Sequence, residues 1–160
     1  MKSNTFDVHL MGTHSLVIPD EIAQSFIEMG HKRVKVTARF EGNTLSFHGA
    51  IQKIKGIYCM TFGKKYQKAL AVFPNDYFQL QFYEDTTTYG VEMPEELEAV
   101  LLSDKEAFTI FESFTAGKKR GIIYMILGYK NSQTKIDKSL LLCENLKRGI
   151  RKNPELLKSF

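Results

Sequence analysis

The chain has no tryptophan, only two cysteines, and no apolar stretch near the roughly 18 residues that cross a membrane. The two thiols, Cys59 and Cys143, lie far apart in apolar segments, so they are expected to be free and buried rather than a disulfide framework. The opening residues, MKSNTFDVHLMG, hold no apolar run of signal-peptide length, which makes the cytoplasm the expected compartment. Familiar chemical spacings are also missing. Gly117-Lys118 has neither a Ser/Thr after the lysine nor the upstream glycine of a nucleotide phosphate loop. His9, His14, His31 and His48 have no Cys or carboxylate at metal-ligand spacing, although His9 and His14 flank one turn and could approach each other. Cys59 has no activating histidine beside it in sequence, and no Ser-His-acid set or carboxylate pair stands out. No metal or cofactor is expected.

What is present is a repeated hydrophobic pattern. Residues 5–40 recur 44 positions later without a gap, so that Gly12 falls on Gly56, and Leu10, Leu16, Ile18, Phe26, Val34 and Val36 fall on Ile54, Met60, Phe62, Leu70, Phe78 and Leu80. A pattern of this kind predicts one architecture built twice. Each copy reads strand, turn, strand, short helix, strand. The first has strands at 5–11 and 15–18, a helix from Pro19 with Ile22, Phe26 and Met29 on one face, and a strand at 33–40. Glu41-Gly42-Asn43 is read as a hairpin turn, with a return strand over 44–54. The second copy has strands at 57–62 and 77–83 around a helix at 63–71. One copy cannot cover its own apolar face. Two can close a small barrel, with Phe40, Phe47, Phe62, Phe73, Phe78 and Phe82 inside.

A polar break at Asp85–Gly90 separates this domain, residues 1–85, from a second over 91–152, in which the apolar period changes from two to about 3.6. Four helices are predicted there. Pro94-Glu95-Glu96 opens the first, and Ser103-Asp104-Lys105-Glu106 is a capping box for the next. Thr115 caps a third and Ser132 a fourth, whose face carries Ile136, Leu140, Cys143 and Lys147. Gly149 stops it, and Pro154 limits any extension. The fold class is therefore α+β: a double-split, repeat-built small barrel followed by a helical C-terminal region.

Met93-Pro94-Glu95-Glu96-Leu97, followed by Leu101-Leu102-Ser103-Asp104, resembles a v-P-E-E-L…l-L-x-D pattern. Thr115 through Ile126 resembles t-x-G-K-x-R-x-x-i-y-x-I, continued by Lys130–Ile136. Together these resemble the YdeI/OmpD-associated, or bacteriocin-protection, family, and the N-terminal half is similar to the domain that often precedes its helical tail. The resemblance implies a link to stress or antimicrobial tolerance. Leu16-Val17-Ile18-Pro19-Asp20-Glu21-Ile22 resembles the v-v-I-P-x-e-i segment of AbrB/MazE-type transcription factors. Those proteins build a swapped-hairpin barrel from two chains, and here two repeats in one chain would replace the dimer.

The net charge of +4 is unevenly placed: +2 over residues 1–90, −6 over 91–115 and +8 over 116–160. The basic run either neutralises the acidic segment or meets an external anion. Its candidate anion- or nucleic-acid-binding residues are Lys118, Lys119, Arg120, Lys130 and Lys135, with Tyr124 available to stack. Across the repeat, Asp20 falls on Lys64, Glu21 on Lys65 and Lys32 on Asp76. These inversions argue against a two-fold reader of duplex phosphates on the barrel. The expectation is a non-enzymatic binding module in stress or antimicrobial-peptide tolerance. A nucleic-acid-binding regulator using the basic helices is the alternative, and an enzyme with a site between barrel and tail ranks last.

Overall fold

A computed structural model describes residues 1–159. The chain forms two compact units, Met1–Thr86 and Thr87–Phe160. In chain order the first contains β1 (Phe6–Val8), β2 (Leu10–Met11), β3 (Ser15–Val17), α1 (Asp20–Glu28), β4 (Arg33–Phe40), β5 (Asn43–Ala50), β6 (Gln52–Ile54), β7 (Ile57–Thr61), α2 (Lys64–Leu70) and β8 (Phe78–Glu84). The strands make two four-stranded antiparallel sheets, ordered β1-β8-β4-β5 (sheet A) and β2-β3-β7-β6 (sheet B). Pairing gives two sheets and no closed ring of strands among the described residues. The continuous strands expected over 5–11 and 44–54 are each divided, at His9 and Ile51, where the chain passes from sheet A to sheet B.

The repeat sets the centre of both sheets. Each central pair is an element bonded to its own copy: β3 to β7 with Leu16 facing Met60, and β4 to β8 with Thr37 facing Gln81. The outer strands obey a different offset. Phe47 faces Val36 as Phe6 faces Leu80, and Gln52 faces Cys59 as Met11 faces Ser15. The counterpart of Leu10 is therefore Ile51, not Ile54. Leu10 and Ile51 are both buried, whereas Ile54 is exposed. The gapless alignment fails here because three extra residues lengthen β6 and its turn. That turn, Lys55-Gly56, has positive φ at both positions, as does Glu41-Gly42. Both are two-residue hairpin connections of the primed type, which match strand twist. Asn43 therefore begins β5, facing Phe40, and is not part of the turn.

Alternation along β4 buries Val34, Val36 and Ala38, and along β8 buries Phe78, Leu80 and Phe82. These pack with Leu16, Ile18, Phe26, Met60, Phe62 and Leu70 in one core. Phe47 stacks on Tyr66 at 4.7 Å between centroids. Gly49 admits the side chain of Met60 from the other sheet: a Cβ at 49 would lie 2.7 Å from the Met60 sulfur. Two expected core members lie outside it. Met29 is exposed, and Ala23 takes the inward place on α1. Phe73 is 70 % exposed, because the chain leaves α2 through a left-handed Ala71 that turns Val72 inward and Phe73 out.

The second unit contains α3 (Glu95–Ser103), α4 (Lys105–Glu112), α5 (Ala116–Leu127), α6 (Ser132–Lys147) and the short α7 (Asn153–Leu156). Helix α6 packs against all four others, around Leu97, Leu101, Phe111, Ile122, Ile126, Leu142 and Leu146. Thr115 caps α5 by accepting the Lys118 N–H, as expected. Two caps sit one residue from their expected positions. Asp104, not Ser103, caps α4 through the Ala107 N–H, while the Ser103 hydroxyl donates back to the Val100 carbonyl. Asn131, not Ser132, caps α6 through the Thr134 N–H. Leu140 is exposed, because α6 turns Ser139, Leu142, Cys143 and Leu146 inward instead. Pro154 does not prevent a further helix. It sits in the first turn of α7, where a missing N–H costs nothing.

Candidate functional site

The basic run of the helical unit is used largely by the unit itself. The Lys118 ammonium donates to the Arg151 carbonyl and lies 4.8 Å from the centroid of Phe114. The Arg151 guanidinium approaches the same ring at 6.0 Å and donates to the carbonyls of Leu146 and Ile150. Lys119 lies 4.0 Å from the Glu112 carboxylate and 5.4 Å from the ring of Tyr89. Tyr89 completes that cluster by donating to Glu112 at 2.6 Å. Burial first, then that hydrogen bond, holds the Tyr89 phenol far above its ordinary range. Lys138 donates to the Leu157 carbonyl at 3.2 Å and lies over Tyr129.

A second link joins the basic and acidic segments directly. The ammonium of Lys147 is 2.7 Å from the Asp104 carboxylate. The hydrogen bond from Lys147, then the capping bond from Ala107, holds Asp104 below the usual carboxylate range. Cys143 lies near this pair, and burial, reinforced by Asp104, pushes its thiol up to about 11. Cys143 is thus kept as a thiol at neutral pH, the opposite of what a nucleophile requires.

Of the six candidate residues, Lys118 and Lys119 therefore serve the packing of α5. Arg120 and Tyr124 are one turn apart on α5, and Tyr124 is exposed. Lys130 lies in the α5–α6 connection and Lys135 on α6. Arg120, Lys130 and Lys135 form no ion pair among the described residues. The exposed face of α6 runs through Gln133, Asp137, Leu140 and Glu144 to Lys147, which is paired with Asp104, so only its last residue is basic.

Two polar features escaped the sequence reading. His48 on β5 and Asp85 after β8 lie together, Nε2 to Oδ1 3.7 Å, with both side chains less than a tenth exposed. Gln67, buried on α2, donates to the carbonyls of Thr13 and Phe62, each at 2.8 Å. It occupies the repeat position of Ala23, so composition at that site carried no hint of it. His9 and His14 do not pair: His9 packs on Tyr77, and His14 bonds with the Thr13 hydroxyl. No helix among the described residues is long and apolar enough to cross a membrane.

The arrangement is that of an α+β protein whose helical unit is braced by ion pairs between an acidic first half and a basic second half. Residues 90–149 match the family model described as Bacteriocin-protection, YdeI or OmpD-Associated. No curated protein and no solved structure matches the chain.

Proposed function

We propose that the protein is a non-enzymatic, cytoplasmic binding module that contributes to tolerance of stress or antimicrobial peptides. The family match over 90–149 supports the link to tolerance. The observation that most supports a module rather than a polyanion-binding tail is the internal use of its cations. Lys119 meets Glu112 and Lys147 meets Asp104, which neutralises part of the acidic segment within the unit. In the first unit, two sheets on one core, with each central strand bonded to its own copy, support a single-chain counterpart of the swapped-hairpin barrel. The test is deletion of the gene in its host, followed by challenge with pore-forming bacteriocin-type peptides. Lost tolerance, restored by the wild-type chain, is the expected result. Unchanged tolerance across such peptides overturns the reading.

A second reading, nucleic-acid binding by the tail, rests on Arg120, Lys130 and Lys135 with Tyr124 exposed. Retention on heparin or duplex DNA that disappears when these three cations become Glu supports it, and no retention at low salt sinks it.

A further inference from the structure

The outer face of sheet A sets cations on one strand beside amides and a tyrosine on the next. Because Val34, Val36 and Ala38 point into the core, Arg33, Lys35, Thr37 and Arg39 share the opposite face of β4. On β8 the same face carries Gln79, Gln81 and Tyr83, and on β5 it carries Thr44, Ser46 and His48. Strand register arranges these as rows across the sheet: Asp7, Gln79, Arg39, Thr44; then Gln81, Thr37, Ser46; then Tyr83, Lys35, His48. Lys2 extends the last row beyond Tyr83. Asp7 lies in the first of these rows, at the edge strand, and Asp85 meets His48 at the end of the last, where both side chains are less than a tenth exposed. The open part of the face is therefore that of Lys35, Thr37 and Arg39 with Gln79, Gln81 and Tyr83.

Three cations thus run along one strand. At the rise of an extended chain, Arg33 and Lys35 stand roughly 7 Å apart, and Lys35 and Arg39 roughly 13 Å apart. Beside them runs a strand that presents two amides and a tyrosine ring, with the Tyr83 hydroxyl donating to Gln81 at 2.9 Å. A shallow recess of about 520 Å3 lies at the far end, where Arg39, Asn43, Gln79 and an exposed Tyr77 are joined by the carboxylates of Asp7 and Glu41, so the cationic stretch ends there. The repeat sharpens the contrast. Arg33, Lys35 and Arg39 have as their copies Tyr77, Gln79 and Tyr83. Cations in one copy answer aromatic and amide groups in the other, although the backbones are related by a near two-fold pairing.

We propose that this face binds single-stranded nucleic acid, with the phosphate backbone along β4 and bases laid over the amide and tyrosine groups of β8. A polar array with cations on one side and flat groups on the other fits a ligand with the same division, and an antiparallel sheet face is a suitable platform for unstacked bases. Duplex DNA, whose phosphates flank it on both sides, fits a face charged along one strand poorly. The inference concerns the first unit and does not rest on the tolerance phenotype, so the gene deletion above and the experiment below fail separately.

The test is fluorescence anisotropy with the full chain and labelled dT and rU oligomers of about 20 nucleotides, against a duplex of equal length. Expected are binding that weakens as salt rises, and duplex affinity at least about tenfold lower. Lys35→Glu/Arg39→Glu should weaken oligomer binding at least about tenfold. Tyr83→Ala should weaken it about tenfold while Tyr83→Phe retains it. Arg120→Glu/Lys130→Glu/Lys135→Glu should leave it unchanged. The milder Lys35→Gln/Arg39→Gln pair gives the same ordering with less disturbance, and circular dichroism checks the fold of each variant. No binding at low salt overturns the proposal. So do affinity insensitive to the sheet variants, duplex bound as tightly as the oligomers, and loss confined to the tail variant.

Discussion

The ammonium of Lys147, at the end of α6, lies 2.7 Å from the carboxylate of Asp104, which also caps α4. One carboxylate therefore fastens two helices. Its depressed pKa, due first to Lys147, means that it stabilises the fold above its ordinary unfolded value near about 3.9. That contribution is lost as pH falls through the lower folded value. Lys147 is raised by the same bond, so its contribution is present below its unfolded value and lost as pH rises through the folded one. Lys147→Ala should flatten the fall of Tm below about pH 5, measured by thermal unfolding across acid buffers. An unchanged acid limb would show that the pair contributes nothing.

Gly49 of sheet A and Met60 of sheet B meet in the core between the two sheets. Gly49→Ala places a methyl against a sulfur that is itself fully buried, so neither group can move into solvent. The expected cost is about 1–3 kcal/mol by urea denaturation. Because the two positions share one space, Gly49→Ala should cost less in a Met60→Ala background than alone. Strict additivity would place the clash elsewhere.

Asn145 is buried in α6 and donates both amide protons outward along the chain, to the carbonyls of Leu156 and Lys158, each at 2.9 Å. Asn145→Ala leaves both carbonyls short of a donor and should cost about 1–3 kcal/mol. Hydrogen exchange should show the loss concentrated at residues 153–158, with α3 and α4 spared. Uniform loss across the helical unit would contradict this role.

Cys143, held as a thiol up to about 11, should alkylate slowly in the native protein at pH 8 and rapidly once unfolded. Its sign is that of an acid whose neutral form is favoured by folding. Stability falls as pH rises from its ordinary unfolded value, near about 8.5, toward the folded one. Cys143→Ala should remove that part of the alkaline decline. Fast native labelling assigned to Cys143 by peptide mapping would refute the buried-thiol account.

Backbone punctuation and apolar period made much of this legible in the chain itself. Gly42 and Gly149 occupy positive-φ positions where a turn and a helix stop were expected, and Gly12 and Gly56, matched by the repeat, both have positive φ. Helices α3 to α6 follow from their apolar spacing and from Thr115. What failed was resolution by one residue at caps, since Ser103 and Asp104, or Asn131 and Ser132, offer equivalent oxygens to the same N–H groups. The repeat was visible, but its three-residue slip was not, because both Ile51 and Ile54 satisfy an apolar pattern and only cross-strand register distinguishes them. The candidate site was less legible still. Lysines 118, 119, 138 and 147 read as one basic run, yet each bonds to a group outside its own helix, three of them distant in sequence, and sequence spacing carries no record of such partners. The cations of β4 escaped notice for the complementary reason: Arg33, Lys35 and Arg39 are separated by buried residues and form a row only after the strand is extended.

The bonding of β3 to β7 and of β4 to β8 also orders events in time. Neither sheet has a centre until residues 44 positions apart have met, so the first unit must close long loops before its core rewards them. The β4–β5 hairpin, with its tight Glu41-Gly42 turn, is the local exception and a natural nucleus. Each helix of the second unit makes its backbone bonds within its own span, so helical structure is expected there while the sheets are still searching for their copies, a difference that pulse-labelling during refolding would display. The packing of α6 on α3 and α4 must still close a loop of similar length.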